Sequence, residues 1–98
     1  MIAVVGGGIT GAYLAFMLAK KGSEVTVYDA HALAYTGTGC NPGGINPFHG
    51  PGMPGVMADF YLNSYKEHLS NSAEIAELSG IDFDLKVVSR LFLAKINT

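Results

Sequence analysis

The chain has 98 residues, 49% of them hydrophobic, and a formal net charge of −2 at pH 7. That length allows one small domain at most, and the absence of a basic patch leaves no support for nucleic acid as a direct partner. A single cysteine excludes an internal disulfide framework and fits a reducing compartment.

Ile2-Ala3-Val4-Val5 is a short apolar run rich in β-branched residues and predicts a strand. It enters Gly6-Gly7-Gly8-Ile9-Thr10-Gly11, where Gly6, Gly8 and Gly11 satisfy G-x-G-x-x-G. Ala12 to Lys21 predicts a helix, and Gly22 stops it. Val25-Thr26-Val27-Tyr28 alternates like a second strand, and that strand ends on Asp29. Residues 1–19 carry no charged side chain, which raises the question of a signal anchor. The glycine triplet and Thr10 interrupt the run, and neither a basic n-region nor a small-residue cleavage pattern accompanies it. No transmembrane segment is expected, and the protein is placed in the cytoplasm, with peripheral membrane association left open.

Strand, glycine fingerprint, helix, strand and acid in that order predict a dinucleotide-binding βαβ unit. Gly6 permits the tight turn out of the strand, Gly8 has no Cβ to obstruct a pyrophosphate, and Gly11 lets the helix lie close to the sheet. The first-turn N–H groups near Ile9, Thr10 and Gly11 point at the phosphates, and the helix dipole favours their charge. Asp29, at the carboxyl end of the second strand, is placed to accept hydrogen bonds from both hydroxyls of an adenosine ribose. A carboxylate there repels a 2′-phosphate, which argues against NADP.

Past Asp29 the pattern changes. Ala30 to Tyr35 is a short connection, and a long glycine- and proline-rich loop follows from Thr36 to Gly55. Loops of that length inside a compact domain are usually functional or disordered, and the apolar Ile45, Phe48 and Met53 within this one disfavour disorder. Helical periodicity returns from Val56 to Ser79. Met57, Phe60, Tyr61, Tyr65, Leu69, Ile75, Ala76 and Leu78 fall largely on one face, and Gly80 ends the helix. Ile81 to Phe83 predicts a short extended piece, and Leu85 to Ile96 one or two strands.

Three stretches carry a resemblance. GGGITGAYLAFMLAKKGSEVTVYDA resembles the FAD-binding N-terminus of the D-amino-acid oxidase/glycine oxidase family of flavoproteins, with the seventeen residues 12–28 between Gly11 and Asp29 at that family's spacing. TGTGCNPGGINP resembles the family's S-G-x-N-x-G-G loop, with Thr38 in the serine place, then Gly39, Asn41, Gly43 and Gly44. SGIDFDLKVVSRLFLA resembles the family's entry into the substrate domain. Asp29 departs from the commoner glutamate, and Cys40 occupies a variable place.

The resemblance implies an α/β fold: a Rossmann-like FAD-binding unit of the glutathione-reductase type over residues 1–80, and the start of an antiparallel substrate domain over 81–98. It implies that Gly6, Gly8, Ile9, Thr10 and Gly11 bind the pyrophosphate, and that Asp29 binds the adenosine ribose. By the same resemblance Thr38 and Gly39 add a hydroxyl and an N–H to the phosphates, while Gly43, Gly44 and Ile45 lie along the flavin. The activity implied is FAD-dependent oxidation of a C–N bond in an amino acid or secondary amine. The family's substrate-binding arginine and C-terminal glycine-rich segment have no counterpart in these 98 residues, and Arg90 is not assigned that role. The chain is therefore expected to be the N-terminal portion of a larger oxidoreductase, inactive alone.

An NAD-binding dehydrogenase and a non-catalytic nucleotide-binding fragment remain as alternatives. The position of Asp29 permits the first, but the TGTGCNPGGINP loop argues against it. Other residues carry less. Cys40 lacks an identified partner base, His49 is a loop histidine, and His31 and His68 have no metal-ligand spacing to each other or to Cys40. Tyr13, Tyr61 and Tyr65 lie at helical positions and are expected to pack.

Overall fold

The computed structural model describes residues 1–47 and 55–89, and the chain divides into two units, Met1–Gly44 and Ile45–Thr98. The first unit holds strand β1 (Ile2–Val5), helix α1 (Ile9–Lys20) and strand β2 (Val25–Tyr28). β1 and β2 pair in parallel, in the register Ile2↔Val25 to Val5↔Tyr28. Ile2 N–H donating to Glu24 C=O and Gly6 N–H donating to Tyr28 C=O close the two ends of the ladder. The expected βαβ unit is present.

α1 starts at Ile9, three residues ahead of the sequence expectation. Its first intrahelical bond is Ala12 N–H to Gly8 C=O, at 2.9 Å. Ile9, Thr10 and Gly11 belong to the helix but have no carbonyl within it to donate to, which is the ordinary condition of a first turn. The C-terminus is closed as a Schellman motif: Gly22 N–H donates to Ala19 C=O and Ser23 N–H to Leu18 C=O.

α1 packs on both strands, and Val4 is the one buried hydrophobic side chain among the described residues. Close packing at that point depends on Gly11. A Cβ there would run into Gly6 C=O and come to 3.4 Å from Val4 Cγ1. Gly6 itself has φ +105°, a backbone angle that an L side chain rarely adopts, so the sharp exit from β1 requires glycine.

The second unit, among its described residues, consists of helix α2 (Ala58–Ser79) and the segment after it. α2 begins two residues later than the periodicity suggests, because residues 55–57 form a turn that Ala58 N–H closes on Gly55 C=O. It ends at Gly80 as expected, in the left-handed region, with Gly80 N–H on Ala76 C=O. No α2 side chain is buried. Of the predicted apolar face, Tyr65, Ile75 and Ala76 are half-buried, whereas Met57, Phe60, Tyr61, Leu69 and Leu78 are exposed.

The strands expected after α2 are not found in the described residues, since 81–89 contain no strand. Asp84 accounts for this locally. Its N–H bonds Asp82 Oδ1 at 2.8 Å, its φ is +54°, and Lys86 Nζ pairs with its carboxylate at 2.9 Å, so the chain turns there instead of extending. The remainder of that expectation, from Arg90 to Ile96, lies outside the described residues, as do Phe48, His49 and Met53. No helix among the described residues is long and apolar enough to cross a membrane.

Candidate functional site

The site lies within the first unit, where the loop leaving β1 meets the segment leaving β2. Gly8 is the N-cap of α1, and Ile9, Thr10 and Gly11 form its first turn. Gly8 has no side chain to cap with. Instead Ile9 N–H donates to Thr38 Oγ1, at 3.0 Å. A Cβ on Gly8 would stand 3.0 Å from that same hydroxyl. The bare Gly8 therefore first makes room for Thr38, twenty-nine positions beyond the residue it caps. Thr38 Oγ1 accepts one N–H and keeps its own proton to donate. A hydroxyl and the first-turn N–H groups thus converge on one helix N-terminus, where the dipole favours an anion.

Asp29 follows β2. Its Oδ2 accepts Gly7 N–H at 2.7 Å and its Oδ1 accepts His31 N–H at 2.9 Å. The bonds from His31 and then Gly7 hold its carboxyl below the usual carboxylate range, so it is ionised at neutral pH. Each oxygen retains a lone pair for a further donor such as a sugar hydroxyl. An open cavity of about 180 Å³, lined by Val5, Gly6, Tyr28, Asp29 and Ala30, sits at the carboxyl ends of the two parallel strands. Ligands of open α/β sheets bind at that end.

The structure brings Gly6, Gly8, Ile9, Thr10, Gly11, Asp29 and Thr38 into one region. Gly39 sits beside it in the run of turns over 33–40, where a Cβ would strike Ala34 C=O. Gly43 and Gly44 follow on an exposed stretch, with Gly43 N–H held by Asn41 Oδ1 at 2.6 Å. Ile45 opens the second unit. Cys40 is exposed, and the described residues hold no group of His, Cys, Asp and Glu able to bind a metal. The His31 ring stacks on Tyr35, with centroids 4.5 Å apart.

Sequence reasoning passed over Gly7, Leu33 and Ala34. Gly7 is buried, and its C=O accepts Ala34 N–H at 3.0 Å. Leu33 Cδ2 lies where a Gly7 Cβ would be. The fingerprint leaves position 7 unspecified, so the only hint was a third consecutive glycine. Nothing in the sequence marks Leu33 or Ala34.

Strand–loop–helix–strand geometry, an anion-favouring helix start and a carboxylate at the end of β2 define a dinucleotide-binding unit. The chain matches the model of the FAD dependent oxidoreductase (DAO) family over residues 1–98, and it belongs to that family. It is 35% identical, over 86 residues, to the tRNA 5-methylaminomethyl-2-thiouridine biosynthesis bifunctional protein MnmC of Shewanella pealeana, covering 86% of this chain and 13% of that protein. It is 30% identical over 79 residues to the glycine oxidase of Bacillus licheniformis, covering 81% of this chain and 21% of that one. The chain thus spans a minor part of the length of these relatives. No solved structure matches it. The family is FAD dependent, so the cofactor is FAD, and the NAD alternative falls.

The residues present fit that cofactor. Position 8 is bare and opens on a hydroxyl and helix N–H groups, and an ionised carboxylate stands at the strand end beside the cavity.

Proposed function

We propose that the whole protein oxidises a C–N bond of an amino acid or secondary amine, and that residues 1–44 hold the ADP half of its FAD. The observation that carries the placement is the junction of two distant segments at one helix start, with Thr38 Oγ1 on Ile9 N–H and a bare Gly8 beneath it. In this reading Gly6, Gly8, Ile9, Thr10 and Gly11 surround the pyrophosphate, Thr38 donates its hydroxyl proton to a phosphate oxygen, and Gly39 adds its N–H. Asp29 accepts from the ribose. Gly43, Gly44 and Ile45 run along the flavin. Residues 1–80 belong to the FAD-binding domain and 81–98 open the substrate domain.

FAD, when bound, supplies the two-electron acceptor for the oxidation. The chain's own residues bind and orient that acceptor. The resemblance puts the substrate-binding arginine in a later part of the protein, so residues 1–98 alone should show no turnover, since positioning against the acceptor is worth several kcal/mol. The substrate class is supported by the names of both relatives, one built on glycine and the other on a methylaminomethyl group.

The test is oxygen or dye reduction by the purified full-length protein, against glycine, sarcosine, proline and D-amino acids. The expected result is a yellow protein that turns over at least one of these and releases FAD on denaturation. A yellow protein inert toward every amine, yet active on an alcohol or thiol, would show the substrate class to be wrong.

A further inference from the structure

Gly7 stands at a position for which the fingerprint specifies nothing, yet both of its backbone groups are engaged outside any helix or sheet ladder. Its N–H is bonded to Asp29 Oδ2 and its C=O to Ala34 N–H. The residue is buried, with Leu33 over the place of its missing side chain. The other Asp29 oxygen takes His31 N–H. One carboxylate therefore ties the loop that leaves β1 to the segment that leaves β2. An N–H that loses its acceptor must find another, from water or by rotation of its peptide, and either way the carboxylate's hold on the Gly6–Gly7 peptide is lost. The next residue is Gly8, at the start of α1.

We propose that Asp29 is a positioning residue for the phosphate end of the cofactor: by holding the Gly7 N–H it fixes the Gly6–Gly7 peptide, in the loop that leads to the α1 N-terminus, in addition to meeting the ribose. The inference rests on the placement of the ADP half given above. It separates two effects of one carboxylate. On the ribose Asp29 acts directly. On the phosphates its charge acts unfavourably through repulsion, while its hold on Gly7 acts favourably by orienting N–H groups.

These effects have opposite signs in one measurement. The apo form of the full-length protein is titrated with FAD in the presence of adenosine or of ADP, and the ratio of the two competitor affinities reports what the phosphates add. If Asp29 served the ribose only, Asp29→Ala would weaken adenosine and ADP equally, and the relieved repulsion would raise the ratio. With the coupling proposed, the ratio falls about tenfold, the scale of one or two well-oriented N–H bonds to phosphate. Gly7→Ala keeps the carboxylate but pushes on Leu33 and Asp29. It should lower the ratio, the adenosine affinity measured alongside accounting for any displacement of the Asp29 ribose contact. That variant carries the test alone if Asp29→Ala does not fold. A ratio unchanged or raised in the folded variants would overturn the positioning role and leave the ADP site intact. Failure of both competitors to displace FAD from the wild-type protein would overturn the placement of the ADP half, and the inference with it.

Discussion

The two described regions use their sequence differently. In residues 1–44, distant segments are joined by specific hydrogen bonds: Asp29 to Gly7, Ala34 to Gly7, Thr38 to Ile9. In residues 55–89 one long helix satisfies its own backbone, and even its serines bond back to carbonyls of the same helix, as Ser64 does to Phe60 and Ser72 to Leu69. The first region is specified by backbone geometry and needs few side chains. The second is specified by an apolar face that the described residues cover only in part, Phe83 and Leu85 lining a cavity with Ala73 and Ala76 while Phe60, Tyr61 and Leu78 stay exposed. A cradle of N–H groups is completed by single side-chain and backbone acceptors brought to it from elsewhere in the same unit, whereas a helix face is completed only by another surface.

If the first region is specified by its backbone, small changes there should be felt most in flavin binding. Gly8→Val should have the largest effect. Its Cβ would meet Thr38 Oγ1 and its methyl groups would occupy the phosphate approach, so flavin affinity, followed by retention on dialysis, should fall by more than about a hundredfold. Retained yellow colour in that variant would place the phosphate cradle elsewhere. Asp29→Ala should weaken FAD by about ten- to a hundredfold, through loss of a charge-assisted acceptor. The acid dependence follows from the same group. The backbone bonds from His31 and Gly7 lower its pKa, so its contribution is complete at neutral pH and is lost only as pH falls below the ordinary carboxylate range. FAD release followed from pH 7 downward should therefore show no Asp29 step through mild acid. A step near the ordinary aspartate value that vanishes in Asp29→Ala would mean the carboxylate is not held in this way.

Thr38→Val tests the link between the two segments. Removing the hydroxyl leaves Ile9 N–H without its side-chain acceptor, a loss comparable to removing a helix N-cap, about 1 kcal/mol. The same change should weaken FAD by roughly five- to tenfold, because the donor to phosphate goes too. Thr38→Ser should restore both, measured by thermal unfolding of the apo form and by flavin titration. Equal affinities for the valine and serine variants would remove Thr38 from the phosphate site.

Much of the first region was legible because its signals are local. A β-branched strand, three glycines at fixed spacing, a helix of good formers and an acid ending the next strand are each read within a few residues. Thr38 was legible only through family resemblance, since no periodicity connects it to Ile9. Gly7, Leu33 and Ala34 were not legible at all. Their roles arise from where the segment after β2 folds back, and Ala34 does so at φ +59°, where an alanine gives no sequence signal. In the second region the helix and its glycine stop were readable from period and punctuation. The strand expected after it was not realised at 81–89, because apolar alternation states what a strand would bury but not what it pairs with. There the Asp82–Asp84 turn takes the local backbone bonds instead.

A change confined to the second region should, by the same contrast, leave flavin alone. Gly80 ends α2 at φ +69° and ψ +15°, with its N–H on Ala76 C=O, and nothing lies within 4 Å of where its Cβ would be. Gly80→Ala is therefore free of clashes, and its cost is conformational: an L residue in the left-handed region costs about 1 kcal/mol. That cost falls wholly in the second region, while the Gly7, Asp29 and Thr38 bonds all lie in the first. Thermal or urea unfolding of the full-length protein should register a loss of about 1 kcal/mol. FAD titration should return the wild-type affinity. If Gly80→Ala lowered FAD affinity as much as Thr38→Val, the two regions would not be energetically separable, and the cradle would depend on α2 as much as on its own backbone.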